Sequence, residues 1–515
     1  MDENNYKNIP SEKFAFVSPD RKIRDEKFET KQIGYFQDAF RRFCKNKSSV
    51  VAAIIILILV LYAILVPIFC ETTYSKSLTD TTYLTYTKLL PKSKLFSKLG
   101  FWDGTSIKNI SEADYLYFAA MGSETGKKVI TEVKSSSVDA NGKYMFKCKI
   151  DSYTSNGMLY MTLTEEQYQD IQKYQNETGL QIIYPAVNTK ELPSVLSTDA
   201  NIWFKCSAKG VPILENGAFE NIYRTSGSDG DYNSIRIAGD PGINDPSSPD
   251  RYRYALITGD SNSISYNVRI YKYNYFVYRY GYEPSFLFGT NDKGQDIFTR
   301  LAAGARFSFI LAISISVVNL FIGSVYGAIE GYYGGTADML MERFSDILSG
   351  IPFVVVTTLF QLHMAKKVGV IPALLFAFVL TGWIGMASSV RMQFYRFKGQ
   401  EYILAARTLG AKDLRLMFKH IFPNSLGTLI TGSVLVIPGV IFSESSLTYL
   451  GIINLDSSTM TSVGTMLANG RQFLSSFPHI IFFPSLFISL LEISFNLFGN
   501  GLRDAFNPAL RGADD

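Results

Sequence analysis

The stretch EYILAARTLGAKDLRLMFKHIFPN spans residues 401–424 and separates two long apolar segments of the chain. Four apolar side chains in it recur at helical spacing, and four charged side chains lie off that face. The apolar set is Leu414, Met417, Phe418 and Ile421, and the charged set is Lys412, Asp413, Arg415 and Lys419. The pattern predicts an amphipathic helix at a membrane surface, which Pro423 ends before the next apolar segment.

A cluster of small residues in the same stretch is not explained by membrane binding alone. Ala405, Ala406 and Gly410 lie within about one helical turn of each other. Small side chains let two surfaces approach closely. The stretch therefore also predicts a docking surface for a partner.

Six apolar segments are each long enough to cross a membrane as a helix, which takes about 20 residues. They cover residues 50–69, about 305–329, 339–362, 369–393, 425–450 and 480–502. Glu342, Arg343 and Asp346 crowd the start of the third segment. One such segment alone is consistent with a buried core helix. Six in one chain predict an α-helical polytopic membrane protein.

The first segment is predicted to be a retained membrane helix. Residues 1–49 are mostly polar, whereas a signal peptide places its apolar core near the N-terminus. The ending LVPIFC suggests a lipoprotein cysteine at Cys70, but Phe69 is bulkier than the small residue that such a site needs. We therefore expect no cleavage here.

Basic residues beside the spans predict the topology. Residues 41–47 contain Arg41, Arg42, Lys45 and Lys47, which places the N-terminus in the cytoplasm. With six crossings, the loop 394–424 is cytoplasmic too, and its Lys and Arg residues agree with this. The prediction is a multi-pass protein of a bacterial plasma membrane with cytoplasmic tails at 1–49 and 503–515.

Residues 70–288 form a polar, tyrosine-rich block that this topology places outside the membrane. Alternating patterns predict strands at 142–150, 157–163 and 266–280, and residues 164–177 predict a helix. A block of this length can bury its own core. We expect a folded α+β extracytoplasmic insertion; a partly disordered spacer is the alternative.

Several functions are excluded or unsupported by composition. The insertion contains no histidine, which excludes a Ser-His dyad or a histidine metal site within it. Residues 122–128, GSETGKK, fail the spacing of a phosphate-binding loop. The net charge of +4 gives no case for nucleic-acid binding. Whether Cys148 and Cys206 pair is left open by the sequence.

The charged stretch resembles the cytoplasmic loop of the membrane subunits of binding-protein-dependent ABC importers. That loop has the pattern Glu-Ala-Ala, three residues, Gly, nine residues, Ile, one residue, Leu-Pro. Four residues of this chain fall at matching positions: Ala405, Ala406, Gly410 and Pro423. Leu404 replaces the glutamate, with Glu401 three residues earlier, and His420 and Phe422 replace Ile and Leu.

Four further motifs extend the resemblance to the oligopeptide and dipeptide permease branch, as its C-type subunit. They are FGTNDKGQDIFTRLAAGAR (288–306), GYYGGTADMLMERFSDILSGIPF (331–353), ESSLTYLGI (444–452) and FNLFGNGLRDAFNPALR (495–511). The resemblance covers roughly residues 30–70 and 286–511. It implies six transmembrane helices of the type I ABC importer fold, five of them within residues 289–502.

The chain departs from the branch at several positions. Asn291 and Gln295 stand where the branch tends to have Asp and Arg, and Asn500 stands where it tends to have Asp. The loop 454–464 replaces a Pro-rich, Trp-containing loop, and the insertion is longer than usual. Import of a non-peptide solute therefore remains an alternative.

The resemblance also implies the partners and the coupling residues. It implies a second permease, two ATPase subunits that bind ATP and Mg²⁺, and an extracytoplasmic peptide-binding protein; this chain itself needs no cofactor or metal. The loop would dock on the ATPases through Glu401, Ala405, Ala406, Arg407, Gly410, Lys412, Arg415 and Pro423.

Polar residues within the predicted spans are candidates for the translocation path, because they are costly in lipid. The candidates are Asn319, Glu444, Glu492 and Asn496. A helix-end role for Glu444 and pairing of Glu492 with the second permease are alternatives. A membrane-anchored receptor or adhesin and an ion-driven carrier are the competing classes, but neither needs the cytoplasmic loop.

Overall fold

The computed structural model describes residues 35–70, 86–138, 140, 142, 144–184, 265–456 and 460–506, together with short strands between residues 203 and 258. Residues 1–34 of the predicted N-terminal tail and residues 507–515 of the predicted C-terminal tail lie outside the described part of the chain.

The first span is a helix that begins three residues before its predicted start. Helix α1 (Tyr35–Lys45) leads to Asn46, whose side chain accepts a hydrogen bond from the backbone N–H of Ser49 and caps α2 (Lys47–Phe69). Ser49 Oγ also donates to the carbonyl oxygen of Leu497 at 3.1 Å. This bond ties the first span to the last.

The insertion is an α+β unit, as predicted. Its strands are β1 (Thr105–Ser111), β2 (Ile130–Val138), β3 (Tyr144–Asp151), β4 (Met158–Thr164), β5 (Ile183–Tyr184), β6 (Trp203–Cys206), β7 (Leu214–Glu215), β8 (Ala218–Phe219), β9 (Asn221–Ile222), β10 (Asn233–Ser234), β11 (Ala255–Thr258) and β12 (Ser265–Tyr271). Its helices are α3 (Glu112–Thr125), α4 (Glu165–Thr178) and α5 (Lys272–Tyr280).

Antiparallel pairing arranges these strands in small sheets. One sheet has the order β1-β3-β2, and another has the order β11-β12-β4 with β5 also on β12. The remaining short strands pair as β10-β6-β9 and β7-β8. Cys148 is a buried free cysteine of β3.

The predicted strand 266–280 is wrong in its second half, because β12 ends at Tyr271 and α5 follows at once. The reason lies in tertiary packing. Four α5 side chains recur at a helical period and pack on the core shared with β1 and β3: Tyr273, Phe276, Val277 and Tyr280. Aromatic residues suit either structure, so the core decides.

A buried ion pair fixes α3 against β12. The guanidinium of Arg269 donates to both carboxylate oxygens of Glu124, at 2.6 and 2.9 Å. Both side chains are almost fully buried. A bidentate pair of this kind sets the helix orientation as well as satisfying the charges.

The remaining helices form the membrane part. They are α6 (Ile297–Tyr333), α7 (Gly335–Ser349), α8 (Phe353–His363), α9 (Ala365–Val368), α10 (Val370–Gly382), α11 (Ile384–Lys398), α12 (Glu401–Thr408), α13 (Asp413–Arg415), α14 (Phe422–Tyr449), α15 (Val463–Gly470) and α16 (His479–Phe506).

Among the described residues, five helical segments are long and apolar enough to cross a membrane. They are α2, α6, α10 with α11, α13 with α14, and α16. The predicted span 339–362 is the exception, because α7 and α8 meet at an angle of 72°. Gly350 and Pro352 lie at the break, and the residue before a proline is disfavoured in helical conformation. Counting this bent pair as one span gives the predicted six.

Helices α6 and α11 pack unusually closely through a ridge of glycines. Gly323, Gly327 and Gly331 recur every four residues and therefore share one face of α6. A methyl group on Gly327 would lie 2.1 Å from the carbonyl oxygen of Ala387. Such small-residue ridges let membrane helices approach backbone to backbone.

The incoming and outgoing segments of the insertion run side by side onto the membrane part. The backbone N–H of Lys88 donates to the carbonyl of Asn291 at 2.9 Å, and that of Thr290 donates to Leu89 at 3.0 Å. His479, at the start of α16, lies 3.3 Å from the Thr290 carbonyl oxygen. The insertion is thus seated on the last span.

Candidate functional site

The charged stretch folds as a short helix followed by the start of a span. Helix α12 ends at Thr408, and a turn with Gly410 at φ +86° leads to α13. Residues Leu416–Ile421 then form a π-helical segment that continues into α14. Of the predicted loop 394–424, residues 394–398 still belong to α11. We call residues 399–424 the coupling loop.

The prediction that Pro423 ends a helix is wrong. The helix that starts at Asp413 runs on to Tyr449, with Pro423 in the first turn of α14. Proline lacks a backbone N–H, and the π-helical segment before it already departs from the regular hydrogen-bond ladder. Asn424 Nδ2 donates to the carbonyl oxygen of His420 at 2.7 Å, which satisfies one displaced acceptor.

The predicted coupling residues are mostly accessible to a partner. Glu401, Ala405, Arg407, Gly410, Lys412, Arg415 and Pro423 are exposed. Ala406 is half-buried and packs against the core beneath the loop. No atom of this chain lies within 4 Å of the point that a Cβ at Gly410 would occupy. Close packing within the chain therefore does not require glycine there, but the positive φ does.

Buried apolar residues anchor the loop on the helices beneath it. Ile403 of α12 is fully buried against Phe394, Leu416 and Ile421. The predicted apolar face is split: Met417 and Ile421 are buried, whereas Leu414 and Phe418 are exposed.

Sequence reasoning missed an exposed apolar patch on this loop. Leu409 is 88% exposed and Leu414 is 68% exposed, and Leu404 and Phe418 of the same loop are exposed as well. We call these four residues the apolar patch. Clustered apolar side chains on a surface indicate a contact with another molecule. Leu414 and Phe418 belong to the apolar face that the sequence predicts, whereas Leu404 and Leu409 do not share its spacing, so periodicity gave no signal for those two.

A tyrosine connects α6 to both sides of the coupling loop. Tyr332 Oη donates to Asp413 Oδ1 at 2.5 Å and accepts a hydrogen bond from Arg407 Nη2 at 3.2 Å. Lys398 Nζ donates to the carbonyl oxygen of Gly331 at 2.9 Å. The C-terminal end of α6 is therefore joined directly to the loop.

One arginine joins three helices next to this contact. Arg391 of α11 binds Asp338 at 2.6 Å and Glu342 at 2.9 Å, and it lies 3.6 Å from Glu330. The three carboxylates have ligand atoms within 4.8 Å of one another. Because the guanidinium already binds this acidic group, the arrangement fits an ion-pair network rather than a metal site.

Two of the translocation-path candidates are buried among the helices of this chain. Asn319 is buried in α6, and its side chain would contact a methyl group on Gly382 at 2.4 Å. Glu444 is also buried and accepts hydrogen bonds from Ser308 at 3.3 Å and Thr448 at 3.1 Å. These contacts favour the structural helix-end role that the sequence left open for Glu444 over a role in the translocation path.

The other two candidates lie on one polar stripe of α16. Ser485, Ser489, Glu492 and Asn496 follow one another at intervals of three or four residues, so they share a helical face. Glu492 Oε1 is enclosed and has no hydrogen-bond partner among the described residues. We call this row of four residues the polar stripe. The end of the stripe at Ser485 and Ser489 lines a groove of about 520 Å³ between α14 and α16.

Residues at which the chain departs from the branch form their own contacts beside the start of α6. Asn291 Nδ2 donates to Gln295 Oε1 at 3.0 Å, so two neutral amides close the loop before α6. In the loop 454–464, Asp456 binds Lys293, Arg300 and Asn469. Burial alone would raise the pKa of Asp456, but these partners hold that pKa below its usual value.

Comparisons with known proteins agree with this architecture. Residues 323–512 match the family described as "Binding-protein-dependent transport system inner membrane component". Residues 34–91 match "N-terminal TM domain of oligopeptide transport permease C".

Named relatives point the same way. The chain is 42% identical over 224 residues to the oligopeptide transport system permease protein OppC of Bacillus subtilis, covering 44% of this chain and 72% of that protein. It is 39% identical over 225 residues to the dipeptide transport system permease protein DppC of the same organism, covering 44% of this chain and 69% of that protein.

A third relative is the glutathione transport system permease protein GsiD of Pectobacterium atrosepticum, which is 32% identical over 241 residues. The match covers 46% of this chain and 78% of that protein. The matches confirm the predicted resemblance and the helical, multi-pass fold with an α+β insertion. The chain belongs to the oligopeptide and dipeptide permease branch of the binding-protein-dependent transport system inner membrane components, as a C-type subunit.

Proposed function

We propose that this chain is a membrane permease subunit of an ATP-driven importer of oligopeptides or dipeptides. The observation that carries the proposal is the apolar patch of the coupling loop, where Leu409 is 88% exposed. Exposed apolar side chains of this kind mark a contact with another protein or with the membrane, and we assign the contact to a partner subunit. The names of the similar permeases support peptides as the cargo.

The energy comes from two separate ATPase subunits, which bind ATP and Mg²⁺. The coupling loop docks on them, with the apolar patch at the centre and charged residues such as Glu401 and Lys412 around it. A helix held by a partner transmits that partner's rigid-body motion. The contacts of Tyr332 with Arg407 and Asp413 carry the movement into α6.

The translocation path forms between this chain and a second, similar permease. Glu492 supports the polar stripe as this chain's contribution, because an unpaired carboxylate is costly against lipid. Asn496 extends the stripe by one turn. Buried Asn319 and Glu444 position the helices behind it.

The chain lies in a bacterial plasma membrane with both termini in the cytoplasm. The insertion then faces outward, where an extracytoplasmic peptide-binding protein delivers cargo. Its firm seat on α16, through Thr290 and His479, suits a docking or gating surface for that protein.

The test is gentle purification of the tagged chain, followed by reconstitution into liposomes with its partners. We expect a second permease and two ATPase subunits to co-purify, and labelled tripeptides to accumulate only with ATP. Leu409→Glu should lose both ATPase binding and uptake, because it places a charge at the centre of the docking surface. Leu99→Glu, an equally drastic change at an exposed site of the insertion, is the matched control.

Recovery of the chain alone, under conditions that keep a known importer of the same membrane intact, would contradict the proposal and favour a receptor. Uptake driven by an ion gradient without ATP would favour a carrier. Wild-type ATPase binding by Leu409→Glu would remove the apolar patch as the docking surface.

A further inference from the structure

A groove of about 480 Å³ lies in the insertion, far along the chain from the coupling loop and the polar stripe. Ligand pockets are typically about 300–1,000 Å³. One wall is a single face of α3, on which aromatic and small residues recur every three or four positions. They are Tyr115, Phe118, Ala119, Gly122 and Ser123.

The opposite wall is the edge of a strand. Every residue from 128 to 133 lines the groove. Successive side chains of a strand point to opposite faces, so a groove on one face would be lined by alternate residues only. An unbroken run of lining residues across the register shift at Thr131 therefore places the groove along the start of β2 and the two residues before it.

That edge is open among the described strands. In the sheet order β1-β3-β2, β2 pairs with β3 alone. An open edge presents backbone N–H and C=O groups that another extended segment can pair with. Register shifts next to Thr131 and Lys134 interrupt β2. Such irregularities oppose long edge-to-edge pairing, so a short segment fits better than a second copy of this chain.

The charged side chains of the groove are positive at one end and negative at the other. Lys127 and exposed Lys128 lie just before β2, with the Lys127 ammonium 5.0 Å from the centroid of the Tyr273 ring, and exposed Glu132 lies further along the strand. A peptide antiparallel to β2 would bring its carboxylate to the lysines and its amino group to Glu132. From residue 128 to residue 132 a strand extends about 13 Å, which corresponds to a peptide of about four or five residues.

The walls are held in place before any ligand binds. The Tyr115 ring stacks on Phe146 of β3, with ring centroids 4.3 Å apart. The Arg269–Glu124 ion pair fixes the end of α3. A preformed groove avoids part of the ordering cost of binding.

We propose that this groove binds a free peptide of about four or five residues as an added antiparallel strand on β2, with the peptide's carboxylate at Lys127 and Lys128 and its amino group at Glu132. None of the residues that line the groove belongs to the polar stripe. Binding there does not depend on the proposed transport function, because it is measured without ATPase, binding protein or membrane gradient.

The test uses the full-length chain in detergent and a pool of pentapeptides with free termini, randomised at the three central positions. Bound peptides are separated by rapid gel filtration and identified by mass spectrometry, and the best binder is then titrated. Ser123→Trp fills the groove from an exposed position of α3. Ser137→Trp, an exposed serine of β2 beyond the groove, is its matched control.

We expect saturable binding that Ser123→Trp abolishes and Ser137→Trp retains. Lys127→Gln with Lys128→Gln should weaken binding about fivefold, and so should amidation of the peptide's carboxyl group. The two changes together should weaken it no further, because they remove the same contact. Lys134→Gln should have no effect.

Retention of no peptide above the Ser123→Trp background would overturn the proposal. Binding that survives Ser123→Trp, or that ignores both the lysine changes and amidation, would also overturn it. Loss of uptake with intact peptide binding would contradict only the transport function, so the two failures are distinguishable.

Discussion

The Tyr332 hydroxyl donates a 2.5 Å hydrogen bond to Asp413, and the same oxygen accepts one from Arg407. Arg407 precedes the turn at Gly410 and Asp413 follows it, so one side chain of α6 holds both sides of the coupling loop. Sliding of the loop relative to α6 breaks these bonds. These two hydrogen bonds add to the buried apolar contacts that hold the loop against the spans.

Tyr332→Phe should weaken coupling while leaving the fold intact. Phenylalanine keeps the ring and removes only the hydroxyl that both partners use. We expect uptake per ATP hydrolysed to fall about three- to tenfold, as is usual for residues that transmit coupling. The measurement is uptake and ATP hydrolysis in the same liposomes. Tyr333→Phe, at the exposed neighbouring position, should behave as wild type, and an unchanged ratio for Tyr332→Phe would exclude the role.

Gly410 substitutions separate backbone strain from packing. Gly410 has φ +86°, and no atom lies within 4 Å of the point that a Cβ would occupy, so an alanine there costs about 1 kcal/mol of strain. Asparagine tolerates this conformation better. We expect uptake to decrease in the order Gly, Asn, Ala. If close packing against the ATPase decided instead, the larger asparagine would be worse than alanine.

The spans and part of the insertion were predictable because local patterns fix them. Helix α4 matches the predicted 164–177, and Thr164 and Gln167 form a capping box at its start. Residues 272–280 were not predictable as α5, because aromatic residues fit a strand equally well. The core contacts of Phe276 decided between the two.

The candidate site divides in the same way. Three of the predicted coupling residues, Glu401, Ala405 and Arg407, are exposed on the short helix α12, and the others follow it in the chain. The contact of Tyr332 with Asp413 joins residues 81 positions apart, and no local period connects them. The continuation of the helix through Pro423 depends on a π-helical segment, for which the sequence carried no signal.

Gly327→Ala should prevent correct packing of α6 against α11. The added methyl group would meet the Ala387 carbonyl oxygen at 2.1 Å, and backbone on both sides leaves little room to adjust. Overpacking of this kind costs about 1–3 kcal/mol or more. We expect a lower melting temperature in detergent and less protein in the membrane. Gly385→Ala on the facing helix, where a methyl group meets nothing within 4 Å, is the control; equal stability of the two variants would contradict the close approach.

Asp456 should make the stability of the protein sensitive to acid. Although burial acts to raise its pKa, Lys293 and Arg300 hold the pKa below its unfolded value of about 3.9. As the pH falls, the folded state therefore binds fewer protons than the unfolded state. The stabilisation by ionised Asp456 is complete above about pH 4, and it is lost as the pH falls through the lowered pKa of the folded state. Melting temperatures between pH 6 and pH 3 should fall more for wild type than for Asp456→Asn, so their difference shrinks in acid. Asp170→Asn, at an exposed site of α4, should follow wild type throughout, whereas a constant difference between wild type and Asp456→Asn would show that ionisation of Asp456 does not stabilise the fold.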